Sequence, residues 1–522
     1  MLIETNAGTK LERSLTPARP DRLVELPGGR RLLVRELPAD LETPLSVYIK
    51  LCGDSPSFLL ESVSGGEQVA RYSFIGVRPR KAYVLRENAW QIHYADGSIS
   101  RPLAPSENPL AALRQALGIL EPAALPGLPR LVGGLAGYLG YDAVRFFEPS
   151  VALEPRADLP EAIFLQADTL AVIDHAYGRL VLMAVTEPLA TNASLEEAEA
   201  RLNGLCRRLA RPLPQAAASS ASPEDTSLGS NKTPAEFEEM VRQAQEHIRA
   251  GDIFQAVLSQ RLVRRTGAAP LSLYRSLRTL NPSPYMFYFD FNGLAGSQPF
   301  HLIGASPEVH VRLEGRRAML RPIAGTRPRS SQAVEDQALA RELLADPKER
   351  AEHVMLVDLA RNDLGRVCDY GSVEVSEQMV IERYSHVMHI VSQVEGQLCP
   401  GLDALDLLQA TFPAGTVSGA PKIRAMQIIH ELEDCPRGPY GGVVGYLSYD
   451  GSMDTCITLR TMVMQGQVVQ IQAGAGIVAD SDPAREHQET LNKAGALLAA
   501  VEAAEQLRGS LEKYGEKPGR AE

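Results

Sequence analysis

Cysteine is scarce: six in 522 residues, with no CxxC pair, so a zinc or disulfide framework is excluded. Cys52, Cys206, Cys368, Cys399, Cys435 and Cys456 are scattered and read as reduced thiols of an intracellular protein. Long apolar runs are missing too, none approaching the roughly eighteen residues that a membrane helix needs. The first residues, Met1 to Pro20, lack the apolar region of a signal peptide and read as a loose arm. No lysine- or arginine-rich run occurs, and a net charge of −11 argues against broad contact with a nucleic-acid backbone. The expectation is a soluble, cytoplasmic protein that binds neither nucleic acid nor membrane.

What is present is ordinary for a globular chain, with 44% hydrophobic and 22% charged residues. An acidic protein with an anionic substrate must focus its positive charge locally, through a metal and single basic residues. The segment 211–232, rich in Pro, Ser and Ala, cannot bury enough surface to offset its ordering entropy and reads as a linker or surface loop. It separates an N-terminal part, 32–210, from a C-terminal part, 233–507; the polar tail after Gly509 reads as frayed.

Thr233 and Glu236 form a capping box with Pro234 in the first turn, and Phe237, Met240, Val241, Ala244 and Ile248 predict a helix ended by Gly251. Further helices are predicted from Pro347 to Arg361, after Pro421 towards Leu432, and from Asp482-Pro483 to about Ala504. Val443 to Tyr449, Thr455 to Met464 and Val468 to Ala473, separated by Asp-Gly and Gln-Gly turns, read as an antiparallel meander. Strands and helices in uneven order predict an α+β fold. The run Gly133-Gly-Leu-Ala-Gly-Tyr138 echoes Gly441-Gly-Val-Val-Gly-Tyr446, which hints at related sheet halves.

Chemistry concentrates in the last quarter. Glu486 and Glu489, three apart, share one helix face and lie just past Gly474-Ala475-Gly476, read as a turn whose bare backbone can approach a ligand. A glutamate pair in a first turn is also what a solvated helix face looks like. Glu352, on another helix, offers a third carboxylate, and an all-carboxylate set favours a hard cation such as Mg²⁺. Arg460, read as strand-borne, is either a surface arginine or a bidentate carboxylate clamp. The GxGxxA run from Gly474 to Ala479 has too little chain after it for a dinucleotide-binding sheet. His389 sits in an apolar strand, where a core histidine is the default. The Gly325-Thr326 and Gly415-Thr416 segments are tight loops, the second opening a helix whose free amides can hold an anion.

Together these motifs resemble the chorismate-utilising enzymes, and among them the anthranilate synthase large subunits. The resemblance spans roughly Leu45 to Ala500 and is densest in PIAGTRPR, EHVMLVDLARNDLGRV, YSHVMHIVSQVEG, FPAGTVSGAPKIRAMQIIHELE, YGGVVGYLSYDGSMDTCITLRT and QAGAGIVADSDPAREHQETLNKA. It implies large, mostly antiparallel sheets packed together with helices outside. It implies that Glu352 and Glu489 ligate Mg²⁺, with Glu486 supporting through water. Tyr440, Arg460 and the amides of Gly474, Ala475 and Gly476 would bind chorismate's carboxylates, with Gly325 and Thr326 beside the ring. Glu308 matches the acid for the departing C4 hydroxyl, His389 the residue of the aromatising step, and Thr416 lines the same pocket. Gln255 stands where water-using relatives carry a lysine base, and Ala324 where aminodeoxychorismate-forming relatives carry a nucleophilic lysine. Both departures point to ammonia as nucleophile and anthranilate as product. Leu59-Leu-Glu-Ser62 and Asn281-Pro-Ser-Pro284-Tyr285-Met286 resemble the family's tryptophan-binding segments, implying feedback inhibition through Ser62, Pro284, Tyr285 and Met286. No cysteine has the setting of an amidotransferase nucleophile, so a separate glutaminase subunit is expected to deliver ammonia. The alternatives are an aminodeoxychorismate or phenazine-type synthase, or a catalytically idle tryptophan-binding homologue.

Overall fold

The computed structural model describes residues 20–514, apart from 54–55, 64–70, 104–107, 119–121, 124, 155–157, 189–190, 215–224 and 385–386. The N-terminal arm, the middle of the 211–232 segment and the chain after 514 therefore lie outside the described residues. Two sheets, of thirteen and eleven strands among those residues, carry the architecture. The first runs from Arg22–Leu26 and Arg30–Pro38 through Ser57–Glu61, Tyr285–Asp290, Phe300–Ser306, Thr461–Gln465 and Val468–Ile477 to Gln255–Arg265. The second runs from Ile323–Pro328 and Val387–Gln397 through Val309–Glu314, Met453–Ile457, Val443–Ser448 and Gly134–Leu139 to Ala89–Tyr94. Strands from both sides of 211–232 enter both sheets, and neighbouring strands pair antiparallel. The α+β expectation is met.

Side-chain alternation explains the layering. In the first sheet Phe58, Phe74, Phe287, Phe289, Leu302 and Val463 face the second sheet and share its core with Leu135, Ile163, Val311 and Val443. Their neighbours Leu59, Ile75, Met286, Tyr288, Ile303 and Met462 face the other way, into a core with Leu202, Leu273, Ala494 and Leu497 of the outer helices. A strand with both faces buried reads as a continuous apolar run, as Tyr285–Asp290 does.

The capping box at Thr233 forms as read, and the helix Pro234–Ala250 ends at Gly251 with φ 83°. The other helices stand at Pro347–Gly365, Lys422–Leu432 and Pro483–Tyr514, the last continuing well past Ala504. The glycine echo has a direct meaning: Gly134–Leu139 and Val443–Ser448 are adjacent strands, with Gly137 opposite Gly445. A Cβ on either glycine would come within 1.9 or 2.2 Å of a backbone oxygen, so neither position admits a side chain.

Three readings need correction. Thr455 to Met464 is not one strand: Met453–Ile457 belongs to the second sheet and Thr461–Gln465 to the first, so the meander is divided between sheets. Arg460 therefore lies in the crossover, with φ 47°, and is not strand-borne. Gly474 to Gly476 is not a turn, because the strand Val468–Ile477 runs through it.

Candidate active site

Two crossovers between the sheets, tied to each other, contribute to the site. The chain leaves Phe300–Ser306 in the first sheet and enters Val309–Glu314 in the second, with Glu308 in the link. It returns from Met453–Ile457 to Thr461–Gln465, with Arg460 in that link. The links are stitched together: Ile457 N donates to Glu308 O at 3.1 Å, and Ala305 N donates to Arg460 O at 3.1 Å. The Ser306 hydroxyl adds a bond to Ile457 O at 2.6 Å. The backbone segments that carry one acid and one guanidinium are thus tied to each other.

They open onto a cavity of about 660 Å³, also lined by Gln255, Gly325, Thr326, Glu352, His389, Thr416, Tyr440, Gly474, Gly476, Glu486 and Glu489. All the residues singled out for chemistry meet there except Ala475. Strand alternation turns that methyl to the opposite face, against Phe237, Ala425 and Ile428.

Glu308 is buried, accepts a hydrogen bond from Thr416 Oγ1 at 3.2 Å, and is pushed up to about 8 by burial. It is a carboxylic acid at neutral pH. Burial lowers Arg460's proton affinity, and no carboxylate pairs with its side chain among the described residues. A half-buried guanidinium without a counter-ion is poised for an anionic ligand.

Gly325 and Thr326 occupy a β-bulge, since the pairing with Val387–Gln397 slips between Ala324 and Arg327. A bulge re-aims residues out of the ladder, and φ 67° at Gly325 completes the bend. His389 Nδ1 lies 2.8 Å from Gly325 O, which only accepts, so Nδ1 carries the proton and Nε2 is left as an acceptor. Burial holds this imidazole below its ordinary value, and hence neutral near pH 7.

The glycines of Val468–Ile477 make room for protein groups. A Cβ at Gly474 would meet Tyr440 Oη at 2.7 Å, and one at Gly476 would meet Gln255 Nε2 at 2.5 Å. Gln255 Nε2 reaches Glu352 Oε1 at 3.5 Å. The helix opened by Gly419-Ala-Pro421 starts at Lys422 and contributes nothing to the lining.

Glu352, from Pro347–Gly365, and Glu486 and Glu489, from Pro483–Tyr514, face the cavity together. Burial first, then the neighbouring Glu349, raises Glu352; burial raises Glu486. As they stand, no group of three acidic, histidine or cysteine residues among those described is close enough to hold an ion. Glu489 instead pairs with Lys493 Nζ at 2.7 Å, and that ammonium also donates to Gly474 O at 2.9 Å. An oxygen-only, mutually repelling donor set suits a hard divalent cation, which would lower the energy of every carboxylate in it. Lys493, Glu349, Asn492 and Gln472 line the cavity as well, and sequence reasoning passed them over. The signal was there for two: Lys493 follows Glu489 by four residues and Glu349 precedes Glu352 by three.

A second, smaller pocket of about 60 Å³ collects Ser62, Pro284, Tyr285 and Met286. Its two segments are brought together by Met286 opposite Glu61 and by Val63 N donating to Ser283 O at 3.2 Å. Asp454 accepts from Tyr285 Oη at 2.9 Å and pairs with Arg312 at 3.1 Å on the same wall.

Residues 56–499 match the family described as chorismate binding enzyme. The chain belongs to that family. It is an enzyme, and the relatives it resembles include anthranilate synthase components. "Anthranilate synthase component 1" of Pseudomonas putida is 45% identical over 491 residues, covering 93% of this chain and 98% of the relative. The Streptomyces coelicolor protein of that name is 50% identical, covering 91% and 89%. The crystal structure of anthranilate synthase component I from Streptococcus pneumoniae, 37% identical, superposes with a TM-score of 0.70 over 82% of this chain and 92% of that one. The menaquinone-specific isochorismate synthase of Escherichia coli, 19% identical with a TM-score of 0.67, shares the fold. Among the described residues no helix is long and apolar enough to cross a membrane.

Proposed function

We propose that this enzyme converts chorismate and ammonia to anthranilate, pyruvate and water. A partner glutaminase subunit supplies the ammonia, and tryptophan inhibits the reaction from the second pocket. The observation that carries the reading is one cavity lined by a buried, protonated Glu308, by Arg460 with no carboxylate partner among the described residues, and by the carboxylates of Glu352, Glu486 and Glu489. Such a lining suits a dicarboxylate that must lose a hydroxyl group.

Arg460 and Tyr440 Oη grip one substrate carboxylate by charge-assisted hydrogen bonds. Glu352 and Glu489 would hold Mg²⁺, with Glu486 behind a water. Mg²⁺ held there would supply Lewis acidity to the substrate, and Glu489 would exchange its Lys493 partner for the ion. Ammonia forms a C–N bond at ring C2 as the C4–O bond breaks, and Glu308 gives its proton to the departing oxygen so that water leaves. His389, held by Gly325 O with Nε2 free, serves the second step, in which the C2 proton is removed and the enolpyruvyl C–O bond breaks to yield pyruvate. Gln255 offers an amide at the position facing Glu352 and cannot deprotonate water, which favours ammonia. Ala324 has no nucleophilic group, which disfavours a covalent route.

Two strands connect the second pocket to the crossovers of the cavity. Tyr285–Asp290 pairs with Phe300–Ser306, which leads to Glu308, while Asp454 and Cys456 of the second pocket lie on the strand that leads to Arg460. A ligand that wedges this pocket would shift both crossovers.

The test is direct. The purified chain with chorismate, Mg²⁺ and ammonium at alkaline pH should develop anthranilate fluorescence, suppressed by tryptophan and lost with a chelator. An aminated product that retains the enolpyruvyl group would assign it to a different branch of the family, and tryptophan binding without turnover would make it an idle homologue.

A further inference from the structure

Behind the cavity, outside its lining, lies a buried ion pair that no step above uses. Arg437 and Glu433 have side chains 2% and 5% exposed and pair in bidentate fashion, Nε to Oε2 at 2.8 Å and Nη2 to Oε1 at 2.7 Å. The remaining bonds of the guanidinium go to the walls of the cavity. Nη1 donates to Val417 O at 2.6 Å, next to Thr416, and Nη2 donates to Val257 O at 2.6 Å. Glu433 Oε1 accepts from Ser259 N at 2.6 Å and Ser259 Oγ at 2.9 Å, and Gln472 Nε2 donates to Ser259 Oγ at 2.8 Å. Val257 and Gln472 themselves line the cavity.

The same guanidinium lies over two aromatic rings, 4.5 Å from the centroid of Tyr141 and 5.6 Å from that of Tyr440. The short run from Arg437 to Tyr440 is tied down at its start, where Asp142 accepts from Arg437 N at 3.1 Å and Gly438 N at 2.6 Å. Beyond Tyr440, Gly441 N donates to Thr458 O at 3.1 Å. A buried pair of this kind is weak evidence for stability, because well-packed apolar residues often do as well. A planar fork that serves one carboxylate and two carbonyls while lying over two aromatic rings is geometry that lysine cannot copy.

We propose that Arg437 and Glu433 are positioning residues: they touch no substrate, and they fix the Tyr440 hydroxyl in the cavity at the angle that substrate binding needs. The proposal rests on the reading of Tyr440 as a substrate contact.

A double-mutant cycle on the ammonia-dependent reaction tests it, with Glu433→Gln and Tyr440→Phe made singly and together. Tyr440→Phe should raise the KM for chorismate by about tenfold. Glu433→Gln should raise it by a similar factor with kcat within about twofold, yet by less than about twofold once Tyr440 is Phe, because no hydroxyl remains to be aimed. An equal factor in both backgrounds overturns the proposal, since a general loosening of the fold would act in either. Should Glu433→Gln fail to fold, Ser259→Ala, which removes one donor to Glu433, replaces it in the same cycle and is judged by the same criterion. A KM unchanged in Tyr440→Phe alone would overturn the substrate-contact reading itself, an outcome distinct from equal factors.

Discussion

Replacing Glu308 by Gln separates a working acid from a structural one. Burial lifts this carboxyl from an ordinary 4.5 to about 8, and only Thr416 opposes it with a hydrogen bond. At pH 7 such a group is about 90% protonated. The folded state holds a proton that the unfolded chain releases near 4.5, so stability falls as pH rises from about 4.5 to about 8 and then levels. At 1.36 kcal/mol per pH unit the loss is about 5 kcal/mol at most. Glutamine has no proton to lose, so the difference in melting between wild type and Glu308→Gln should shift steadily in the variant's favour from pH 5 to 8. Catalysis should follow the same titration. With free ammonia held constant, wild-type kcat/KM for chorismate should fall about tenfold per pH unit above about 8, while Glu308→Gln is flat and lower by about 10²–10⁴. Melting differences that stay parallel across pH 5 to 8, with an alkaline limb kept by the variant, would refute the assignment of Glu308 as the acid.

Glu489→Gln should remove most activity with either ammonia or glutamine, and calorimetry should show weakened Mg²⁺ binding; undiminished turnover at saturating Mg²⁺ would contradict the ligand assignment. His389→Met should permit amination but impair pyruvate loss, so chromatography should reveal an accumulating aminated intermediate, and an unchanged product mixture would count against the role. Ser62→Arg, which fills the second pocket with a charged side chain, should relieve tryptophan inhibition without altering turnover in its absence. A wild-type inhibition curve would remove Ser62 from that site.

Local signals with a physical mechanism were readable residue by residue. Thr233 and Glu236 cap a helix because their side chains and amides satisfy each other, and that needs no tertiary context. The sheet sandwich came from family resemblance, since strands buried on both faces carry no alternation to read. The divided strand at Arg460 was hidden for a related reason. The run from Met453 to Met464 is apolar on both sides of the break, and the positive φ falls on an arginine where a glycine would have signalled it. Conversely Gly474 and Gly476 signalled a turn, although they mark a strand over which Tyr440 and Gln255 pass closely. The pairing of Lys493 with Glu489 was legible from spacing, but its bond to Gly474 O required the strand and the helix to be seen together.

Calorimetric titration of chorismate into the chain, without ammonia so that no turnover occurs, tests most directly whether one substrate is held by guanidinium and cation together. Wild type should bind in the presence of Mg²⁺ and lose most affinity without it, and Arg460→Ala and Glu489→Gln should each weaken binding by at least about tenfold. Equal affinity in all four cases would contradict a cavity that grips its ligand between a guanidinium and a cation.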